Sequence, residues 1–439
     1  MYDLIIEDGT ILSGAGRTVA DIAVEGGEIV YVGTRPAGGA RRRVSAIGRF
    51  VAPGLIDTHV HFRDPGHPQK EDWASGSRAA ASGGVTTVCD MPNTSPPTIT
   101  TQAWLDKAAL AADRSRVNFG IWFGAAAGNV DEARRITDEG PACGIKVFMG
   151  ASTGPLLVND ATLVEFFEKT RGLMGVHAED EGVLQAFRER WAGRTPPTHH
   201  DSRPAEAAVV AVQRLIELVR AHPRPVHVCH VSTAAELAVL EAVRGSVPIT
   251  TEVAPHHLWL NNEEPLGNLG KVNPPLRPES DRRALWTAVR RGLIDTVGSD
   301  HAPHTLEEKG LSYDQAPSGI PGVELTFSLL MSAVKRSRLP LELLVQMTSE
   351  APAARFGFAR KGQIRAGFDA DLVVFREVDL VSVATMQLYT RVGWSPYAAQ
   401  KAAPKPELVF VAGRLVAENG VIVDDEGRGC LVSPSRGEA

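Results

Sequence analysis

The stretch Leu55-Ile-Asp-Thr-His-Val-His-Phe-Arg63 decides the fold. Its short apolar run closes on His59 and His61, with one residue between them. Residues i and i+2 of a strand point to the same side, so both imidazoles can grip one metal ion. Similar apolar runs return seven more times, at Val85–Asp90, Val117–Phe123, Gly144–Met149, Leu173–His177, Pro225–His230, Val247–Val253 and Ile294–Asp300. Helical patterns lie between most of them, such as Ala205–Ala221 and the segment opened by Thr233, whose Glu236 completes a capping box. Strands alternating with helices predict a parallel sheet, and eight such units predict an α/β fold closed as a (β/α)8 TIM-like barrel over residues 55–354.

Outward from that barrel, both ends of the chain read as β-rich. Asp3–Leu12 and Val19–Gly33 alternate apolar and polar residues around a Gly26-Gly27 turn, and Gly362–Phe375 and Glu407–Val423 repeat the style with turns at Ala412-Gly413 and Asn419-Gly420. Neither zone is long enough for a core of its own. The expectation is one small β-sandwich domain composed of residues 1–54 and 355–439.

The chain has 439 residues, 46 Lys+Arg against 52 Asp+Glu, and a formal charge of −6. Its composition suits a folded chain with a large core, and the mild acidity gives no reason to expect nucleic acid or an anionic membrane as a partner. No apolar run approaches the roughly 18 residues that a membrane span needs. Met1 to Thr10 carries acids and no basic-then-apolar stretch, so no signal peptide is expected. The four cysteines stand far apart, which fits a reduced cytoplasmic compartment.

The chemistry-bearing residues share one position in the pattern. Besides His59 and His61, the expected strands place Lys146, His177, His230 and Asp300 at or near their carboxyl ends, the face on which barrel active sites assemble. Four imidazoles and a carboxylate make a ligand set suited to zinc (Zn2+) or a similar ion. Lys146, in the apolar run Gly144–Met149, is costly to bury as an ammonium. It either reaches solvent or is carboxylated by CO2 to a carbamate that bridges two divalent metal ions. In the second reading His59, His61 and Asp300 hold one metal and His177 and His230 the other. Among the remaining histidines, His67, His199, His200 and His222 read as solvated loop residues, His227 as core, and His256 and His257 as packing near the site; the role of His301 stays open.

These residues resemble a known family. Asp57-Thr-His-Val-His-Phe-Arg-Asp-Pro-Gly66 and Gly298-Ser-Asp-His-Ala-Pro-His-Thr-Leu-Glu-Glu-Lys309 are similar to the two signatures of the dihydroorotases, in the cyclic-amidohydrolase branch of the amidohydrolase superfamily. Met91-Pro-Asn-Thr94, Gly144-Ile-Lys-Val-Phe-Met-Gly150 and Lys271-Val-Asn-Pro-Pro-Leu-Arg277 fit as well, so five motifs occur in order over nearly the whole chain. The resemblance implies the type with a bridging carboxylated lysine at Lys146 and interconversion of L-dihydroorotate and N-carbamoyl-L-aspartate in pyrimidine synthesis. It makes Asp300 the catalytic proton shuttle. It implies that Arg63, Asn93 and His304 bind the substrate carboxylate, that Asn273 and loop 317–322, with Pro321 and Gly322, contact the ring, and that the chain forms a homodimer or other homo-oligomer.

Two alternatives remain at this point. An allantoinase or dihydropyrimidinase (hydantoinase) shares the metal ligands, but a neutral substrate gives Arg63 no carboxylate to bind, unless Arg63 pairs with Asp64 or Asp72. A non-catalytic barrel scaffold would be free to lose ligands, whereas this chain keeps all six.

Overall fold

The computed structural model describes residues 1–152 and 156–435. The last four residues of the expected end domain lie outside the described residues. Five strands come from the amino-terminal end: β1 (Tyr2–Ser13), β2 (Gly16–Glu25), β3 (Glu28–Gly33), β4 (Ala40–Ser45) and β5 (Phe50–Pro53). Nine follow through the middle of the chain: β6 (Leu55–Val60), β7 (Val85–Asp90), β8 (Asn118–Ile121), β9 (Phe123–Gly124), β10 (Ile145–Phe148), β11 (Met174–His177), β12 (Val226–Val228), β13 (Ile249–Val253) and β14 (Thr296–Val297). After a long helical stretch come β15 (Leu372–Phe375), the short pair β16 (Val381–Ser382) and β17 (Lys401–Ala402), then β18 (Leu408–Val411), β19 (Arg414–Glu418) and β20 (Val421–Ile422).

The two chain ends join one nine-stranded sheet in the order β20-β19-β18-β15-β5-β1-β2-β3, with β4 also on β1. The seam is β15 against β5, antiparallel, with Val373 opposite Ala52. Alternation along β15 shows how this sheet meets the rest of the molecule. Leu372 and Val374 pack into the sheet's own core with Ile22, Val24 and Phe410, whereas Val373 and Phe375 point the other way into the large central core. A period of two thus gives one strand two cores. The β content expected over Gly362–Phe375 is confined to Leu372–Phe375; Gly362 and Gly367 take positive φ in the turns that precede it.

The middle strands are parallel and lie in two sheets, β6-β7-β8 and β9-β10-β11-β12-β13-β14. Main-chain hydrogen bonds cross between them at both ends. Cys143 N donates to Ile121 O at 3.0 Å, and His61 N donates to His301 O at 2.7 Å, beside a parallel bridge between Val60 and His301. Side-chain caps start the intervening helices: Asp72, Thr100, Asn159, Asp180 and Thr233 each accept from a backbone N–H of the first turn, and Thr233 with Glu236 forms the full capping box. Among the described residues no helix is long and apolar enough to cross a membrane.

Strand ends differ from expectation where the chemistry lies. β6 stops at Val60, β12 at Val228 and β14 at Val297, so His61, Arg63, His230 and Asp300 stand just beyond regular strands. Arg63, His230 and Asp300 take φ of 60°, 38° and 48°. Each non-glycine residue held there costs on the order of 1–3 kcal/mol, an expense that clusters where side chains must be re-aimed at a functional site.

Candidate metal centre

Strand ends bring His59, His61, His177, His230 and Asp300 together around one cleft, which Phe148, Ser152, Asn273, Ala302, Ser318 and Gly319 also line. Ring centroids lie 5.4 Å apart for His59 and His61, 5.2 Å for His59 and His230, and 4.9 Å for His177 and His230. The Asp300 Oδ1 atom is 3.4 Å from His59 Nε2 and 3.2 Å from His61 Nε2.

Residues around the cleft fix the tautomer of three rings. His59 Nδ1 donates to Glu252 Oε1 at 2.7 Å, His61 Nδ1 to Asn93 Oδ1 at 2.6 Å, and His177 Nε2 to Glu179 Oε2 at 2.9 Å. Burial lowers the pKa of each imidazole, with Arg63 beside His61 and Arg203 beside His177 adding to the effect, so each ring is neutral and carries its one hydrogen on the outward nitrogen. The inward nitrogens therefore present lone pairs, and two of these face a carboxylate oxygen. Lone pair against carboxylate is repulsive unless a proton or a metal cation lies between them. His59, His61 and Asp300 fit a metal ion on this ground, and their donor atoms all lie within 4.8 Å of one another. His177 Nδ1 lies 3.1 Å from His230 Nε2, and His230 Nδ1 is buried without a hydrogen-bond partner.

The outward partners are fixed in turn. Glu252 also accepts from Thr58 Oγ1 at 2.9 Å and lies 3.4 Å from His227 Nε2. Burial alone would push its carboxyl up, but His59 and His227 hold it well below the usual range. Glu179 is likewise held low by Arg203 and His177 against the opposing effect of burial. For Asp300 burial outweighs the pull of His59 and raises its pKa.

Lys146 is fully buried, and its Nζ donates to Cys229 Sγ at 3.0 Å. Burial pushes the Cys229 thiol up to about 12, so the sulfur is neutral and brings no charge to the lysine. Among the described residues no carboxylate pairs with Lys146. The surface escape allowed by the sequence does not occur.

Arg63 is nine-tenths buried; Nε donates to Pro303 O at 3.3 Å and Nη2 to His304 Nε2 at 3.0 Å. Burial lowers its pKa to about 10. The ion-pair alternatives fail, because Asp64 pairs with Arg114 and Asp72 with Arg391. His304 sits between Arg63 and Lys70, with Nδ1 3.3 Å from both Lys70 Nζ and Glu308 Oε2. Asn273 lies at the cleft with its amide against His199.

The structure does not bring Pro321 and Gly322 into this cleft. They line a separate small cavity with His301 and Trp394, and Gly322 N donates to His301 Nδ1 at 3.0 Å. Ser318 and Gly319 of the same loop reach the cleft instead. Gly319 stands at φ 136°, and a Cβ there would lie 2.4 Å from Ala302 O, so glycine lets the loop close down. His199 and His200 open a short helical turn and are only partly exposed: His199 bonds Asn273 and Tyr313, and His200 Nδ1 accepts from Arg277 Nη1 at 3.0 Å. Sequence reasoning passed over Glu252, Glu179, Arg203 and Cys229. The signal for Glu252 was a lone acid in the apolar run Val247–Val253.

The chain belongs to the amidohydrolase family, whose profile matches residues 50–416. Several archaeal relatives carry the name dihydroorotase; that of Methanosarcina acetivorans is 36% identical over 98% of this chain and 95% of its own. An allantoinase of Rubrobacter xylanophilus is also 36% identical, over 99% of this chain and 98% of its own. Among solved structures, the L-hydantoinase (dihydropyrimidinase) of Arthrobacter aurescens superposes with a TM-score of 0.94 at 31% identity, covering 99% of this chain and 100% of that one.

Proposed function

We propose that this protein is a dihydroorotase, opening the cyclic amide of L-dihydroorotate to N-carbamoyl-L-aspartate and running the reverse closure. Percentage identity leaves dihydroorotase and allantoinase level, so the choice rests on a residue. Arg63 carries it: a buried guanidinium beside the histidine cluster that lacks a carboxylate partner among the described residues. A planar fork with unspent donors matches a substrate carboxylate. Dihydroorotate has one, whereas the ring substrates of dihydropyrimidinases are neutral.

In the same reading, His59, His61 and Asp300 would hold one divalent metal, His177 and His230 a second, and Lys146, carboxylated to a carbamate, would serve as a ligand to both. Carboxylation would turn the buried, unpaired amine into an anion facing cations, which removes the cost of burying it. Bound divalent metals, zinc by expectation, would supply activated water at neutral pH and a Lewis acid for the ring carbonyl. Asp300, whose carboxyl burial raises, would take a proton at the carboxylate oxygen turned away from His59 and His61 and return it to the departing amide nitrogen. Arg63, Asn93 and His304 orient the substrate carboxylate, and Asn273 meets the ring. The reading also takes the parallel strands as a closed (β/α)8 barrel, the end sheet as a folded sandwich, and the working unit as a cytoplasmic homodimer.

The test is side-by-side turnover of dihydroorotate, allantoin and dihydrouracil by the metal-loaded protein, with Arg63→Met beside it. Dihydroorotate should be the best substrate. The variant should lose about 10–100-fold in kcat/KM for it, as expected for a charge-assisted contact, while neutral rings change little. Negligible cleavage of dihydroorotate by the parent would sink the assignment.

A further inference from the structure

A chain of polar side chains runs from the turn at residues 199–202 to Asn273, at the wall between the cleft and a neighbouring open pocket lined by Thr198, His199, Asn268 and Lys271. Ser202 Oγ lies 2.8 Å from the His199 carbonyl oxygen, 2.9 Å from the Tyr313 hydroxyl and 3.3 Å from His199 Nδ1, where it can share the hydrogen that Nδ1 carries. The Tyr313 hydroxyl lies 2.7 Å from His199 Nδ1, and His199 Nε2 lies 2.8 Å from the end of the Asn273 side-chain amide.

Counting hydrogens orients every member. A carbonyl has none, so the hydrogen between Ser202 and the His199 carbonyl belongs to the serine. The tyrosine must then donate to Ser202 Oγ, which leaves its oxygen to accept from His199 Nδ1. Burial, with Arg203 nearby, pulls the His199 pKa down to about 3, so the ring holds that single hydrogen. Nε2 is left with a lone pair, which faces an amide N–H and repels an amide oxygen. The two ends of a carboxamide have the same shape, and hydrogen count selects between them. Hydrogen count thus favours the NH2 end of the Asn273 amide as the partner of Nε2.

We propose that Ser202, Tyr313 and His199 are positioning residues that hold the Asn273 amide with its NH2 on His199 and its oxygen toward the cleft, so that this wall accepts a hydrogen bond from a ring N–H of a cyclic ureide. The inference rests on the reading that Asn273 meets the substrate ring, and it adds which group of the ring is recognised.

The test uses full-length, metal-loaded protein and whichever ureide the parent turns over. Tyr313→Phe and His199→Phe should raise KM about 3–10-fold, the scale of one neutral hydrogen bond, with kcat and metal content within about twofold of the parent. Competitive inhibition by the ureide is then compared with derivatives methylated at each ring nitrogen in turn. The parent should discriminate against one methylated form by about tenfold, and His199→Phe should narrow that ratio to about twofold. Tyr313→Phe, a smaller change, keeps the test open if His199→Phe does not fold. An unchanged ratio in both variants overturns the proposal, as does a fall in kcat and metal content together. If allantoin or dihydrouracil replaces dihydroorotate as the substrate, the dihydroorotase reading fails, while the methylation ratio measured with that ureide still decides the role of His199.

Discussion

Glu252→Gln isolates what a carboxylate behind His59, a proposed metal ligand, is worth. Oε1 of Glu252 accepts from His59 Nδ1 at 2.7 Å and from His230 N at 3.3 Å; Oε2 accepts from Thr58 Oγ1 at 2.9 Å and faces His227 Nε2 at 3.4 Å. Glutamine has the same shape and keeps one carbonyl oxygen, so His59 can keep its partner and its tautomer, while the Thr58 hydroxyl can turn to accept. What disappears is the charge. A hydrogen bond to an ionised group contributes about 1.5–3 kcal/mol and a neutral one about 0.5–1.5. The difference, about 1–1.5 kcal/mol, is near tenfold in an equilibrium constant, at the low end of the 10–100-fold commonly lost when such an outer partner is changed. We therefore expect Glu252→Gln to bind the metal about tenfold more weakly in competition with a chelator, at a melting temperature close to the parent's, and to regain most of its turnover when metal is in excess. Metal affinity within twofold of the parent would refute the claim that Glu252 acts through His59.

Three further outcomes are expected. Lys146→Ala should lose both metal and activity, and a short carboxylic acid should partly restore both by standing in for the carbamate; full activity with no additive would exclude the bridging role. Lys107 Nζ pairs with Asp90, both fully buried, and donates to Met91 O at 2.7 Å, while Asp90 also accepts from Phe62 N at 2.7 Å. Lys107→Met strands the carboxylate and should lower the unfolding free energy by about 3–5 kcal/mol in denaturant melts, with part of that returning in the double variant with Asp90→Leu. Asp425, half-exposed, is held down to about 2 by its hydrogen bond to Arg78, with Arg116 adding to the pull. A lowered pKa adds stability above the unfolded value near 4 that is lost as pH falls toward 2, so the melting-temperature gap between parent and Asp425→Asn should close across that window, and a gap that widens would contradict the assignment.

The two kinds of site residue differ in how far sequence can expose them. His59, His61, His177, His230 and Asp300 were legible because each sits where an apolar run ends, and a strand's direction carries its last residue to a shared face whatever its distant neighbours are. The eight apolar runs matched strands to within a few residues for the same local reason, since burial on both faces writes a continuous hydrophobic signal. Glu179 left no such mark, and Glu252 only that of a lone acid within an apolar run. An acid in Thr250-Thr-Glu-Val253 or Ala178-Glu-Asp180 has the local look of a solvated residue, and its meaning comes from a ring 193 positions away or an arginine 24 positions on. His199 shows the limit most sharply. Pro196-Pro-Thr-His-His-Asp-Ser-Arg-Pro204 has the polar, proline-rich composition of an exposed loop, yet folding sets that segment against Tyr313 and Asn273, whose positions are 114 and 74 residues distant. A metal ligand must be one of a few residue types at a strand end, so chemistry constrains its identity and topology its place. A partner that only has to offer a hydrogen-bond acceptor to a ring nitrogen can be a glutamate, an asparagine or a tyrosine arriving from any element. For that reason the outer layer of this site, which the Glu252 and His199 variants probe, follows from tertiary contact and not from any run of neighbouring residues.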